Sequence, residues 1–313
     1  MLGKTANGLF WMYRYLERAE NTARLIETGQ RLALTRLSDP DAEWRPVLQS
    51  ATQLGPYLAA NDTVTRDGAI DWLLRSRDNP TSVLACIGAA RQNARMVRTA
   101  LTADVWEAVN ATYIHAGEVL ARKVGERDLP GVLRGLRQRT ALVRGMTQGT
   151  MMRDEIYDFA RLGSFIERAD NTARILDVKY YVLLPSAQAV GSSIDNVQWE
   201  SILRSLSAKG GFRMQYGSRV APREITHFLI LDKRMPRSLA FCAGNIRATL
   251  GDIARGDLAP GPSLRMVSQI EQQYLSHGVD EIFAFGLHEM ISALLTSFSD
   301  LARQIEVEYR FHE

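Results

Sequence analysis

Cysteine is scarce in this sequence. Its 313 residues include only two cysteines, Cys86 and Cys242, which excludes a disulfide framework and a cysteine-rich zinc site. Long apolar runs are also missing. None approaches the roughly 20 residues of a membrane-spanning helix, so we expect no membrane span. The first residues mix aromatic and charged side chains where a signal peptide needs an apolar stretch, and we therefore predict a cytoplasmic protein.

Neither sign of charge is in large excess, because the sequence has 38 basic and 35 acidic residues and a formal net charge of +3. That balance gives no reason to expect a nucleic-acid partner. The five histidines show no metal-ligand spacing. The tripeptide Gly3-Lys4-Thr5 lacks the preceding strand and the earlier glycine of a phosphate-binding loop. We therefore expect neither a metal nor a cofactor.

Signals for β-strands are few, and helical periodicity dominates. No Asn-Gly or Asp-Gly turn separates alternating segments, and the ten prolines fall between long stretches with apolar residues at spacings of three and four. Asn79 and Pro80 suit the N-cap and the first turn of a helix. The pattern predicts an all-α helical bundle, with long helices near residues 10–35, 80–100, 153–183 and 279–309.

The sequence also repeats itself. Residues 16–26 return 150 positions later as residues 166–176, with seven of eleven positions identical and the others exchanged for similar residues. A weaker similarity relates residues 80–91 to residues 236–247, at a spacing of 156 positions. We therefore predict a single domain over residues 1–313, built from two half-repeats of about 1–150 and 151–313. Two repeats are too few for a solenoid, so a pseudo-twofold bundle with a shared core is favoured.

On a helical wheel, the repeated segment places four polar residues on one narrow stripe. In the first copy these are Glu17, Glu20, Asn21 and Arg24, and in the second they are Glu167, Asp170, Asn171 and Arg174. Arg18 and Arg168 lie off the stripe. The i,i+4 spacing of acid and arginine predicts an ion pair within each helix. Because the stripe is shared while the flanking aromatic residues differ, a merely solvated face is disfavoured.

Two interpretations of the stripe are left open by the sequence. One is a buried ion network where the repeated helices cross, with arginine forks satisfying the carboxylates. The other is a binding or catalytic pocket lined by both copies. A carboxylate-bridged metal site is disfavoured, because neither copy contains histidine and the arginines compete for the acids. A separate basic run is predicted to form a solvated or partner-facing surface, and it contains Arg134, Arg137, Arg139 and Arg144.

The segment Leu16-Glu-Arg-Ala-Glu-Asn-Thr-Ala-Arg24 resembles the signature of the bacterial alpha-E domain family, all-helical domains with a Glu-Arg motif. The resemblance extends along the chain, from the lead-in at residues 2–15 to the second Glu-Arg element at residues 153–168. It implies an association with circularly permuted ATP-grasp ligases and with a transglutaminase-like peptidase. A role in making or processing an amide-linked peptide is what that association suggests.

Three functional hypotheses follow from the residues and the resemblance. The first is an accessory partner of an ATP-grasp amide ligase, in which Glu17 and Glu167 orient amines while the arginines of both copies bind carboxylates or phosphates. The second is a stand-alone enzyme with Glu17 and Glu167 as acid-base groups, although no nucleophile is visible. The third is a structural scaffold whose stripe is only a buried ion network. A homo-oligomer is compatible with each of them.

Overall fold

The computed structural model describes residues 3–33, 41, 44–182, 193–218, 221–255 and 259–312. Over these ranges the chain forms fifteen α-helices and no strand, which confirms the predicted all-α class. In chain order the helices are α1 (Gly3–Ala33), α2 (Trp44–Ser50), α3 (Leu54–Ala60), α4 (Arg66–Arg75), α5 (Val83–Met96), α6 (Ala103–Val119), α7 (Leu129–Thr150), α8 (Glu155–Val182), α9 (Ser193–Ser205), α10 (Lys209–Tyr216), α11 (Pro222–Thr226), α12 (Leu239–Ile253), α13 (Pro262–Ile270), α14 (Val279–Phe285) and α15 (Leu287–Glu308). A 3-10 turn at Arg98–Ala100 and π-helical turns at His227–Leu231 and Glu271–Leu275 extend this set.

Helix α5 begins at Val83, three residues later than predicted. Its N-cap is Ser82, whose hydroxyl oxygen accepts a hydrogen bond from the Ala85 amide at 3.3 Å. The prediction of Asn79 as the cap is therefore wrong. The Asn79 side-chain oxygen accepts from the Thr81 amide at 2.9 Å and organises the turn before the helix. Asparagine and serine are both good N-caps, and the serine stands directly before the helical run.

The helix predicted near residues 279–309 is two helices. One ends at Phe285, the next begins at Leu287, and they are bent by 94° relative to each other. Gly286 between them has a φ of 105°, a conformation that glycine adopts readily and other residues avoid. Helical periodicity on both sides conceals this bend in the sequence, because a single glycine is tolerated inside many helices. Helix α1 begins at Gly3, seven residues before the predicted start at residue 10, and α8 begins at Glu155, two residues after its predicted start. Residues 34, 35 and 183 of the predicted ranges lie outside the described residues.

Helix α1 packs against both α5 and α8, and α8 packs in turn against α12 and α15. Helices α7 and α9 also contact α1, while α2 contacts α8. The close approach of α1 and α8 depends on Gly163, because a Cβ there would clash with the carbonyl oxygen of Phe10. A crossing of α1 with α8 is what the predicted pseudo-twofold arrangement requires. The duplication itself stays a prediction.

Two clusters of buried apolar side chains form the interior. The larger cluster combines residues of both halves, as shown by the Phe10 and Phe311 rings, whose centroids lie 5.4 Å apart. The smaller cluster is drawn from the first half and includes Trp44, Tyr57 and Trp72. The two halves thus share a core around the first part of α1, and the first half adds a second one around the end of that helix.

None of the described helices is by itself both long enough and apolar enough to cross a membrane. The bent pair α14 and α15 reaches that length and composition only when both helices are taken together. The apolar side of α15 faces the interior, where Leu294, Phe298 and Leu301 are buried.

Candidate functional site

The two Glu-Arg motifs meet where α1 crosses α8, and each glutamate pairs with the arginine of the other copy. Arg168 donates from Nε and Nη2 to the two carboxylate oxygens of Glu17, at 3.1 and 3.0 Å. Arg18 donates from the same two nitrogens to the oxygens of Glu167, at 2.5 and 2.8 Å. Two parallel bonds of this kind combine charge with fixed geometry. The crossing is therefore held by two reciprocal guanidinium–carboxylate forks.

Each glutamate accepts one more guanidinium group on its Oε2 atom. Arg14 Nε lies 3.1 Å from Glu167 Oε2, and Arg144 Nη1 lies 3.4 Å from Glu17 Oε2. The Glu17 and Glu167 side chains are 1% and 5% exposed, so both carboxylates depend on these donors in place of water. Neither additional arginine is among the residues predicted from the motif, because one lies a turn before it and the other lies on α7.

Glu20 forms a second buried centre beside the forks. Its Oε1 accepts from Arg24 Nε and Nη2 at 3.0 and 2.6 Å, which confirms the predicted i,i+4 pair. Its Oε2 accepts from Arg144. In the second copy, Asp170 accepts two hydrogen bonds from Arg174, at 2.7 and 2.9 Å. This pair is half-exposed, so it stabilises the fold less than its buried counterpart does.

Arg237, which the sequence reasoning missed, donates to three residues of the first motif. Its Nη1 lies 2.9 Å from both Glu17 Oε1 and Asn21 Oδ1. Its Nη2 lies 3.0 Å from Glu20 Oε1. The side chain is buried in the turn before α12. The signal that could have found it is the second repeat, in which Arg237 takes the position held by Thr81 in the first half.

The interpretation of the basic run on α7 as a solvated or partner-facing surface is wrong for Arg144. Its guanidinium group reaches Glu17 and Glu20, because α7 packs against α1. Arg137 of the same run pairs with Glu27 of α1 at 2.6 Å. A basic stripe that matches acids on a neighbouring helix has the same sequence pattern as a solvated stripe. Only the packing of the helices separates the two.

The three buried carboxylates of the network stay ionised. Burial raises the pKa of Glu17, but the guanidinium groups around it, Arg168 first, lower it by more, so its net pKa lies well below the usual range. The pKa of Glu20 is lowered in the same way, against both burial and the charge of Glu17. The pKa of Glu167 is lowered against burial by Arg18. At neutral pH these groups accept hydrogen bonds and hold no proton to donate.

The two cysteines lie beside this network as buried thiols. Burial raises the pKa of Cys86 and of Cys242 to about 12, so both stay protonated at neutral pH. Buried, protonated thiols of this kind act as small apolar packing residues. Over the described ranges, no three His, Cys, Asp or Glu side chains lie close enough together to hold a metal ion.

A polar cavity of about 160 Å³ lies beside the second Glu-Arg motif. This is about ten times the roughly 10–15 Å³ in which one water molecule fits. Six of the predicted site residues line it, namely Arg18, Asn21, Glu167, Asp170, Asn171 and Arg174. Leu73, Thr81 and the turn after α2 complete its wall. The other four predicted site residues belong to the closed network around Arg237, and they are Glu17, Glu20, Arg24 and Arg168.

Two amide side chains on the cavity wall are not fully bonded. Asn171 makes no side-chain hydrogen bond to the part of the chain that the structure describes. Asn21 Oδ1 accepts from Arg237, but its buried Nδ2 has no partner among the described residues. Buried polar groups in folded proteins are nearly always paired. Asn171, which is half-exposed on the cavity wall, is therefore available to hydrogen-bond with whatever enters the cavity.

Comparison with known proteins assigns the chain to a family. Residues 1–309 match the Alpha-E model, described as a predicted alpha-helical domain with a conserved ER motif. Similar curated proteins include one uncharacterized protein of Mycobacterium bovis and two of Mycobacterium tuberculosis strains, each 26% identical over 329 residues. The match covers 96% of this chain but only 36% of each relative, and no solved structure matches it. The motifs whose glutamates and arginines cross-pair between α1 and α8 are thus those of a chain that belongs to the Alpha-E family.

Proposed function

We propose that this chain is a helical accessory component of an ATP-grasp amide-ligase system that makes or modifies a peptide, with the paired Glu-Arg helices as its functional core. Family membership supports the proposal, and so does the length of the relatives. Nearly two thirds of each relative lies outside the matched region. In those proteins the Alpha-E part is therefore joined to further sequence, as expected of a unit that works beside a second one.

The observation that carries the proposal is the pairing of both motif glutamates with several arginine side chains. Glu17 accepts four hydrogen bonds from arginine nitrogens, and Glu167 accepts three. Both carboxylates are buried and have lowered pKa values. Groups held in this way fix the helix crossing and the wall of the cavity, and they do not exchange protons at neutral pH. An accessory role is thus favoured over a stand-alone enzyme that uses these glutamates as acid-base groups.

The cavity favours a binding function over a scaffold alone. An ion network that only stabilises the fold requires no cavity beside it, and it is most stable when every polar group in it is hydrogen-bonded. Here Asp170, Asn171 and Arg174 of the second motif line an open cavity, and their side chains are half-exposed. These residues are available to a peptide, to a substrate or to a partner, including the transglutaminase-like peptidase suggested by the family resemblance.

The test is co-expression with a circularly permuted ATP-grasp ligase of the kind that the family resemblance implies. We expect the two proteins to co-purify at low salt, and we expect ATP-dependent product only when both are present. Failure to associate at low salt, or full product formation by the ligase alone, would contradict the proposal.

A pair of matched variants separates a functional role of the cavity from a structural one. Arg174 and Arg204 each donate from two nitrogens to an acid four residues earlier, and their side chains are 38% and 39% exposed. We expect Arg174→Lys to reduce product formation without changing the melting temperature, because lysine does not reproduce the planar fork. Arg204→Lys should leave both unchanged. Equal product from the two variants would exclude the Arg174 side of the cavity from the reaction.

A further inference from the structure

The turn before α5 in the first half corresponds to the turn before α12 in the second half, and one side chain differs between them. Thr81 and Arg237 lie 156 positions apart, and each stands between a proline and a serine. The serine caps the next helix in both places. Ser82 and Ser238 accept a hydrogen bond from the amide three residues later, at 3.3 and 3.0 Å. The two turns are therefore built alike, with a threonine side chain in one and an arginine in the other.

Arg237 shows what this position can hold. Its guanidinium group donates to Glu17 Oε1, Asn21 Oδ1 and Glu20 Oε1 within 3.0 Å. The counterparts of these acceptors 150 positions later all line the cavity, and they are Glu167, Asn171 and Asp170. Thr81 lines it as well. The cavity thus has the same three acceptor positions on α8 that hold Arg237 on α1, but threonine stands where the arginine would be.

The acceptor atoms at the cavity are less committed than those around Arg237. Glu17 Oε1 accepts two hydrogen bonds, from Arg168 Nε and Arg237 Nη1. Glu167 Oε1 accepts one, from Arg18 Nε, within the described part of the chain. The Oε2 atoms of both glutamates accept two each. A cation that enters the cavity therefore meets an acceptor with remaining capacity, at the atom that corresponds to the Arg237 contact.

The turn at the side of the cavity is also repeated. Thr52 and Ser207 lie two residues past the ends of α2 and α9, and both have a positive φ, 55° and 52°. Arg24 donates to the Ser207 hydroxyl, and Arg174 lines the cavity together with Thr52. The walls therefore correspond. The space that the Arg237 side chain fills beside the first motif corresponds to the open cavity beside the second motif.

The charges of the two clusters differ by one guanidinium group. Around Arg237, two carboxylates hold four guanidinium groups, namely Glu17 and Glu20 with Arg24, Arg144, Arg168 and Arg237. At the cavity, two carboxylates hold three, namely Glu167 and Asp170 with Arg14, Arg18 and Arg174. One more guanidinium group gives the cavity cluster the composition of its closed counterpart.

We propose that the cavity bordered by Glu167 and Asp170 binds an alkylguanidinium group, the end group of an arginine side chain. Arg18 and Arg174 each commit two nitrogens to a carboxylate and keep Nη1 for a ligand, so anion binding is the outcome that the test must exclude. The proposal does not depend on the ligase partnership, and its test uses this chain alone.

Binding is measured by isothermal titration calorimetry with L-arginine, the tripeptide Gly-Arg-Gly and L-citrulline. Citrulline keeps the shape of arginine but replaces the charged guanidinium group by a neutral urea. We expect saturable binding of an arginine probe that exceeds citrulline binding by about tenfold or more. The preference between the first two probes shows whether the ligand is the free amino acid or an arginine within a peptide. Equal binding of citrulline, binding of inorganic phosphate in place of arginine, or no binding of either arginine probe overturns the proposal.

Variants locate the site. Thr81→Arg supplies the guanidinium group from the chain itself, and we expect it to weaken arginine binding by about tenfold or more. Thr63→Arg adds the same charge on an exposed loop and should bind arginine like the unaltered chain. If Thr81→Arg does not fold, Asp170→Asn decides, because it removes one carboxylate charge and should weaken binding by about tenfold while leaving citrulline unaffected. If folded Thr81→Arg or folded Asp170→Asn binds arginine as tightly as the unaltered chain, the assignment is overturned.

Discussion

Replacing Arg237 by alanine removes the guanidinium group on which both glutamates of the first motif converge. The side chain is 8% exposed, and it donates to Glu17, Asn21 and Glu20 at 2.9 to 3.0 Å. Both glutamates keep their other arginine partners, so we expect the variant to fold. Their carboxylates stay buried, however, with one charged donor fewer and with an open space in place of the side chain.

The magnitude follows from this geometry. Because both glutamates keep other arginine partners, the loss is that of hydrogen bonds to charged groups, about 1.5–3 kcal/mol. The entropy of unfolding of 313 residues is about 0.66 kcal/mol per kelvin. We therefore expect the melting temperature of Arg237→Ala to fall by about 2–5 °C. The melting temperature of Arg237→Lys should fall by a similar amount, because a single ammonium group does not reproduce two guanidinium nitrogens that donate to three acceptors.

The assay is thermal unfolding by circular dichroism and calorimetry, with Arg234→Ala as the control. Arg234 lies three residues away in the same turn, and its side chain is 76% exposed in its pair with Asp232. We expect Arg234→Ala to melt within about 1 °C of the unaltered chain, as is usual for exposed pairs. Equal melting temperatures for Arg237→Ala and Arg234→Ala would refute the reasoning that Arg237 holds the network together.

Four further predictions follow, two on pH, one on packing and one on thiol chemistry. The lowered pKa values of the network carboxylates mean that their stabilisation is complete above the pKa of an unfolded glutamate, about 4.3, and is lost as the pH falls below it. The urea concentration at the midpoint of unfolding should therefore decrease as the pH falls below about 5. A midpoint that stays constant below that pH would contradict this prediction. Burial and nearby Asp252 raise the pKa of Asp158 to about 6, so ionised Asp158 disfavours folding above that pH. Asp158→Asn should raise the free energy of unfolding at about pH 7 and leave it unchanged at about pH 4, and an equal gain at both would contradict the sign. Gly163→Ala should destabilise by about 1–3 kcal/mol in chemical denaturation, because its Cβ would collide with the Phe10 carbonyl oxygen. Gly117→Ala, where a Cβ meets nothing within 4 Å, should be neutral or stabilising. The raised pKa values of both cysteines predict that the folded chain reacts with a thiol reagent only as fast as it unfolds, so rapid labelling of the native chain would contradict their burial.

Contacts within one helix were the most predictable part of the site. Glu20 with Arg24 and Asp170 with Arg174 follow from i,i+4 spacing, because residues four apart on a helix lie on one face. Contacts between helices were not predictable from the wheel. Arg18 lies off the polar stripe, yet its fork reaches Glu167, since the long arginine stem spans the gap between two crossing helices.

The sequence by itself determined the helical class, the internal repeat and the polar stripe, because each depends on short-range periodicity or on similarity within the chain. Only the tertiary structure decided which arginines serve the buried glutamates. Arg144 and Arg237 come from distant segments, and no local pattern states which helix they will face. The meaning of Thr81 opposite Arg237 was likewise hidden. A difference at one turn becomes a cavity only when α1, α5 and α8 pack around it, because packing determines whether a side chain fills a space or leaves it open.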